Sequence, residues 1–218
     1  YLNMTYKACL FDLDGVLVDT AIYHFQAWKM LGENFNYQLT EEQNEQLKGV
    51  SRVESLNRIL DWANYSATAE QKEAWLIEKN ENYLQLISTM NPAEILPGVL
   101  DFLGQIKELG YKIALGSASK NSEVILTKTG LLPWFDLIID GNKVTKSKPD
   151  PEVFLKGAEG LGFQPEECIV FEDAQAGVEA AKKGGMKAIG IGEADVLSEA
   201  DKVIPTFIGV KATELLKF

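Results

Sequence analysis

Asp12 and Asp14 stand two residues apart at the end of a short apolar run, Tyr6–Phe11, and Gly15 follows at once. Two carboxylates at this spacing supply one group that can attack or ligate and a second that can carry a proton. Three more stretches of polar residues come after apolar runs. Ser117-Ala118-Ser119-Lys120-Asn121 follows Tyr111–Gly116, Lys146-Ser147-Lys148-Pro149 follows Leu137–Asp140, and Glu172-Asp173 follows Cys168–Phe171. Four carboxylates gathered in one place repel one another unless a cation lies among them. The all-oxygen set Asp12, Asp14, Glu172 and Asp173 suits a hard ion, and magnesium, one per site, is expected because it keeps several waters and accepts phosphate oxygens. The turn Ser117–Asn121 opens a helix and offers backbone N–H groups to an anion, while Lys148 adds a positive charge. A metal, an N–H cradle and a lysine around one carboxylate are what phosphoryl transfer needs, since the charge of the transferring group must be neutralised.

Those residues meet only if the runs before them are neighbouring parallel strands. After Asn91-Pro92 and Pro97-Gly98 the chain alternates helix and strand. Helices are expected at Gly98–Leu109, Ser122–Thr129, Pro151–Leu161 and Gln175–Lys183, with strands at Tyr111–Gly116, Leu137–Asp140, Cys168–Phe171 and Met186–Ile191. A short strand at Lys202–Ile204 and a helix at Thr213–Phe218 complete this half. Alternation of this kind predicts an α/β fold, a doubly wound parallel sheet with helices on both faces and a ligand crevice at the carboxyl ends of the strands. From Thr20 to about Met90 the pattern is wholly helical. Ala21, Phe25, Trp28 and Leu31 share a face, and Thr40 with Gln43, Ser51 with Glu54 and Thr68 with Gln71 have capping-box spacing. The expected organisation is a core of residues 1–18 and 92–218 with an all-helical cap, 19–91, inserted after the first strand. Gly15–Val18 and Asn91–Pro97 join the two and are the expected hinges.

The 218 residues carry 21 basic and 32 acidic side chains, net −11, so nonspecific binding to nucleic acid or an anionic membrane is not expected. Apolar stretches fall far short of a membrane span, and Asp12 and Asp14 interrupt the only early apolar run, so neither an anchor nor a signal peptide is read there. Cys9 and Cys168 both lie in apolar runs and read as buried free thiols, which points to a cytoplasmic setting.

The segment Phe11-Asp12-Leu13-Asp14-Gly15-Val16-Leu17-Val18-Asp19-Thr20 resembles the first motif of the haloacid dehalogenase superfamily of phosphotransferases, and Ser117, Lys148 and Glu172-Asp173 match its second, third and fourth motifs in order. His24, Lys48-Gly49-Val50-Ser51-Arg52 and Ser117–Asn121 together resemble the bacterial β-phosphoglucomutase family within it. That family interconverts β-glucose 1-phosphate and glucose 6-phosphate through a β-glucose 1,6-bisphosphate intermediate. The resemblance implies that Asp12 is nucleophile and metal ligand, and that Asp14 is general acid/base and ligates through its carbonyl. It implies that Glu172 and Asp173 complete the metal site, and that Ser117 and Lys148 hold the transferring phosphoryl group. Ala118, Ser119, Lys120 and Asn121 would line the core side of the pocket. Arg52 would grip the distal phosphate from the cap, Lys48, Gly49 and Lys79 would contact the sugar or its phosphate, and His24 and Thr20 would support Asp14. A small-molecule sugar phosphate is the implied partner and a monomer the expected state.

Plainer readings stand beside these. Glu172-Asp173 also reads as a helix N-cap, a role compatible with metal binding. Lys148 reads as an exposed lysine like Lys146, although the Lys-Pro pair after a strand favours the functional reading, and His24 as a residue at a core margin. Arg52 reads as a salt-bridge partner of Glu54 or Asp61, and Lys48 and Lys79 as solvated lysines. A phosphatase of the same superfamily shares the core motifs; a binding protein would have no use for the Asp12/Asp14 pair.

Overall fold

A computed structural model describes residues 6–218; residues 1–5 of the expected core segment lie outside the described residues. These divide into two compact units, the chain up to Asp19 together with Asn91–Phe218, and Thr20–Met90.

In the first unit six strands form one parallel sheet: β1 (Ala8–Phe11), β2 (Lys112–Gly116), β3 (Leu137–Ile139), β4 (Cys168–Glu172), β5 (Lys187–Ile191) and β6 (Lys202–Ile204). Their order is β3-β2-β1-β4-β5-β6. The chain therefore builds outward from β1 on one side and then returns to build outward from β4 on the other, so the topological switch point lies between β1 and β4. Both faces of the sheet are buried, which is why its strands are nearly continuous apolar runs. On one face Ala8, Leu10, Cys168 and Val170 pack with α7 (Glu152–Leu161) and α8 (Gln175–Lys183) through Val153, Phe154, Ala158, Val178 and Ala181. On the other face Phe11 stacks on Phe171, ring centroids 4.5 Å apart, and meets Phe102 of α5 (Val99–Glu108) and Phe207.

The helix α6 (Ser122–Thr129) ends at Gly130 in a left-handed conformation, as the glycine after its last turn predicts. At the C-terminus α9 covers only Ala212–Leu215, shorter than the expected Thr213–Phe218. Asp201 explains the join of β5 to β6 in part: its carboxylate accepts from the Ala188 N–H at 2.8 Å and binds Lys182 at 2.7 Å and Lys187 at 3.0 Å. Both cysteines are buried free thiols. The two expected hinge stretches bond to each other, through an antiparallel bridge between Val18 and Ile95 and a 2.9 Å bond from the Leu96 N–H to the Leu17 carbonyl.

The second unit, inserted between β1 and β2, is all helical: α1 (Ala21–Gly32), α2 (Glu41–Glu45), α3 (Arg52–Trp62) and α4 (Ala69–Ile87). Reciprocal capping boxes at Thr40/Gln43 and Thr68/Gln71 start α2 and α4. At Ser51/Glu54 only half the box forms. The Ser51 hydroxyl accepts from the Glu54 N–H, but the Glu54 carboxylate pairs with Arg58 one turn on, at 3.2 Å. Trp28, Leu31, Phe35, Leu56, Ile59 and Leu60 form this unit's core. No helix among the described residues is long and apolar enough to cross a membrane.

Candidate active site

The end of β1 turns sharply. Gly15 adopts a left-handed φ of +75°, its N–H donates to the Val18 carbonyl at 2.8 Å, and the Leu17 N–H donates to the Leu13 carbonyl at 2.9 Å. A side chain at Gly15 would strike the Asp173 carboxylate, so glycine is required there by both conformation and space. Asp12 is anchored by its own N–H to the Phe171 carbonyl at 3.0 Å, which ties the tip of β1 to the tip of β4.

Lys148 crosses this junction. Its ammonium donates to Asp12 Oδ1 at 3.0 Å, to the Gly116 carbonyl at 3.0 Å and to Glu172 Oε1, and it lies 4.8 Å from the Phe154 ring centroid. The side chain is only 6% exposed, so the plain reading of Lys148 as a surface lysine does not hold. Lys146 does fit that reading; its side chain is exposed and 3.7 Å from Asp150. Glu172 extends β4 by one residue beyond expectation and is fully buried. It is not a helix cap, since Ala174 precedes α8, although its carboxylate accepts from the Ala174 N–H at 3.3 Å. Its seat is carved by Gly177 of α8, where any Cβ would collide with the Glu172 carboxyl group.

Oxygens of Asp12, Glu172 and Asp173 lie within 4.8 Å of one another. Asp14 is not one of that trio, although its charge acts on Asp12 and Asp173. Burial, and then the neighbouring Glu172, push the Asp12 carboxyl well above the usual carboxylate range, against the pull of Lys148. The same causes, with Asp14, push Asp173 up to about 7. Burial would lower the pKa of Lys148, but Asp12 and Glu172 outweigh it and raise the value, so the ammonium stays charged. Ionising all three carboxyls beside the single Lys148 ammonium would leave surplus negative charge, and the raised pKa values of Asp12 and Asp173 express that cost. Hard oxygen donors with surplus charge fit a divalent cation such as magnesium.

Ser117 is buried, its N–H bonded to the Ile139 carbonyl at 3.0 Å. Its Oγ accepts from the Ser119 N–H at 3.1 Å, and Ser119 Oγ accepts from the Asn121 N–H at 3.2 Å. Ser117 thus directly follows the Gly116 carbonyl that Lys148 binds, and the chain through Ala118, Ser119, Lys120 and Asn121 is a turn folded on its own hydroxyls. The structure brings together Asp12, Lys148, Glu172, Asp173 and the start of the Ser117–Asn121 turn.

Within the helical unit, Arg52 begins α3 and donates to Asn80 Oδ1 at 3.0 Å, whereas Arg58 is the residue that pairs with Glu54. Lys79 is not a solvated lysine. It is 4% exposed, 3.0 Å from His24 Nδ1, and lies over the rings of Trp28 and Tyr83 at 4.6 and 4.7 Å. His24 stacks on Tyr83 with centroids 4.2 Å apart. Lys48 is half exposed and pairs with Glu45 at 2.7 Å; Gly49 beside it has φ +72°. Thr20 is buried, and its carbonyl starts α1 by accepting from the Tyr23 and His24 N–H groups.

Reading the sequence missed Gly116, Phe154 and Gly177 as parts of this site. A helix-interior glycine in Gln175-Ala-Gly-Val-Glu is the one available signal, since glycine there costs about 1 kcal/mol relative to alanine.

The fold and the acidic cluster at its switch point define an α/β enzyme core with a helical insertion. A family model described as haloacid dehalogenase-like hydrolase matches residues 6–185, and the chain belongs to that family. It is 42% identical to a β-phosphoglucomutase of Bacillus subtilis over 200 residues, covering 91% of this chain and 88% of that one. It is 31% identical to a phosphorylated carbohydrates phosphatase of Thermotoga maritima, covering 84% and 83%. A crystal structure of a β-phosphoglucomutase from Clostridium difficile superposes with a TM-score of 0.91 at 40% identity, covering 96% of this chain and 95% of that one.

Proposed function

We propose that the chain is a magnesium-dependent β-phosphoglucomutase that interconverts β-glucose 1-phosphate and glucose 6-phosphate through an aspartyl phosphate on Asp12 and β-glucose 1,6-bisphosphate. The observation that carries the phosphoryl-transfer reading is the Lys148 ammonium, bonded at once to Asp12, Glu172 and the carbonyl that precedes Ser117. It supports a reading in which a phosphoryl oxygen meets a lysine, a serine hydroxyl and an attacking carboxylate together. Asp12 attacks phosphorus, the bond from phosphorus to the sugar oxygen breaks, and Asp14 gives that oxygen its proton. In the return half-reaction Asp14 takes a proton from the sugar hydroxyl that attacks the Asp12 phosphate. Ser117, whose Oγ already accepts from Ser119, has its hydroxyl proton to donate to the phosphoryl group. Magnesium held by Asp12, Glu172, Asp173 and the Asp14 carbonyl would neutralise charge developing on that group.

Arg52, Lys48, Gly49 and Lys79 take the second phosphate and the sugar, with His24 and Thr20 supporting Asp14. A mutase needs this second anion site because the bisphosphate must bind in both orientations, and a guanidinium suits a phosphate dianion. The partner is a small sugar phosphate, and the enzyme is a cytoplasmic monomer. Similarity to the Bacillus subtilis mutase over nine-tenths of the chain favours transfer to sugar, whereas the Thermotoga maritima relative favours a second reading, a sugar-phosphate phosphatase. The test supplies β-glucose 1-phosphate, magnesium and a trace of bisphosphate, and follows glucose 6-phosphate and inorganic phosphate together. Glucose 6-phosphate without matching phosphate release is expected; phosphate release alone would establish the phosphatase.

A further inference from the structure

Glu152 opens α7, outside the acidic cluster, and its carboxylate is the anchor of the loop that carries Lys148. It accepts from the Thr145 N–H, at 3.1 Å to each oxygen, from the Thr145 hydroxyl at 3.1 Å and from the Lys146 N–H at 2.7 Å. Lys156, one turn along α7, pairs with it at 3.0 Å. Its own N–H donates to Asp150 Oδ1 at 3.0 Å, and the Asp150 N–H donates to the Ser147 carbonyl at 3.0 Å. The segment from Thr145 to Glu152 is thus closed on itself, with Lys148 near its middle. The Lys156 bond and then the Thr145 and Lys146 amides hold the Glu152 carboxyl down to about 2, so it is ionised throughout the working pH range. Two residues further along α7, Phe154 lies beneath the Lys148 ammonium and packs on Gly116, where a Cβ would come within 2.7 Å of its ring. One helix therefore holds the backbone at one end of Lys148 and supports the ammonium at the other.

We propose that Glu152 is a positioning residue for phosphoryl transfer, holding the Thr145–Lys146 backbone so that the Lys148 ammonium reaches Asp12 and the Gly116 carbonyl; this rests on the phosphoryl-transfer reading of the site. An acidic residue in the first turn of a helix is also favourable by the dipole alone. That role would be independent of Lys148, so a double-mutant cycle separates the two.

The probe is inorganic phosphate in the presence of magnesium, titrated calorimetrically into wild type, Glu152→Ala, Glu152→Gln, Lys148→Met and the Glu152/Lys148 double variants. Glu152→Ala is expected to weaken phosphate binding about 10–100-fold, the usual cost of losing a group that orients a ligating side chain. Glu152→Gln keeps an acceptor and the shape of the turn, so it loses less, and it carries the cycle if the alanine variant does not fold. In the Lys148→Met background either change at Glu152 should have no further effect. Losses that multiply in the double variant, or wild-type phosphate affinity in Glu152→Ala alongside weakened binding in Lys148→Met, would overturn the proposal while leaving the site reading intact. Wild-type affinity in Lys148→Met would overturn the site reading and the inference with it.

Discussion

Replacing Gly177 with alanine sets helix propensity against the carboxylate beneath it. Propensity alone favours alanine by about 1 kcal/mol in a helix interior. Tertiary structure opposes it, because the new Cβ would lie well under 3.0 Å from Cδ, Oε1 and Oε2 of Glu172. Contact between carbons needs about 3.5–4.0 Å. Neither side can yield cheaply: Glu172 is fully buried and bonded to Lys148 and the Ala174 N–H, and α8 packs on β4 and β5. Displacing the carboxylate forfeits a charge-assisted hydrogen bond, about 1.5–3 kcal/mol, and forcing the methyl in costs about 1–3 kcal/mol more. After the propensity gain, a net loss of about 1.5–5 kcal/mol is expected. For a chain of this size that lowers Tm by about 2–4 °C per kcal/mol. Thermal and urea unfolding would be measured beside turnover in the presence of magnesium, which should fall as Glu172 releases Lys148. Gly104→Ala in α5 is the control, since a Cβ there meets nothing within 4 Å; it should be neutral or up to about 1 kcal/mol stabilising. A Gly177→Ala protein as stable as the Gly104→Ala control, with unchanged turnover, would refute the argument.

Asp12→Asn should abolish turnover, because an amide can neither form the acyl phosphate nor offer its charge to a metal; wild-type rates in that variant would end the mechanism. Arg52→Ala should lower mutase activity while sparing hydrolysis of a small acyl phosphate that has no second phosphate, and equal losses in both assays would argue against a distal-phosphate role. Burial raises the Asp201 pKa, but bonds from Lys182, the Ala188 amide and Lys187 bring it below the usual range. Its contribution to stability is therefore complete above the unfolded-state pKa of about 3.9 and is lost as pH falls through the lower folded value. Asp201→Asn should accordingly cost about 1–2 kcal/mol near pH 7 and progressively less in acid, as urea unfolding at both pH values would report.

How far the chain could be read from its residues differs between its parts. Periodicity and the glycines at 130 and 162 were enough to place α6 and α7, since a helix terminus is a local event decided within a turn. The same local logic located the capping boxes at Thr40 and Thr68, yet failed by half at Ser51, where Arg58 competes for the Glu54 side chain. Glu172 was read past the end of its strand because a carboxylate breaks an apolar run. It belongs to β4, paired with Gly190, because Lys148 supplies a cation from a segment 24 residues away.

By itself, then, the order of residues determined the alternation of strands and helices, the helical insertion and the kinds of side chain that end each strand. Those depend on hydrophobic period and near-neighbour chemistry, which a linear chain carries in full. Only the tertiary structure decided that Lys79 is buried against His24, Trp28 and Tyr83, and that Gly15 and Gly177 are seats for Asp173 and Glu172. Each of these turns on which surfaces meet at long range, where burial sets the value of a charge and a missing Cβ is visible only from the side of the group that fills its place.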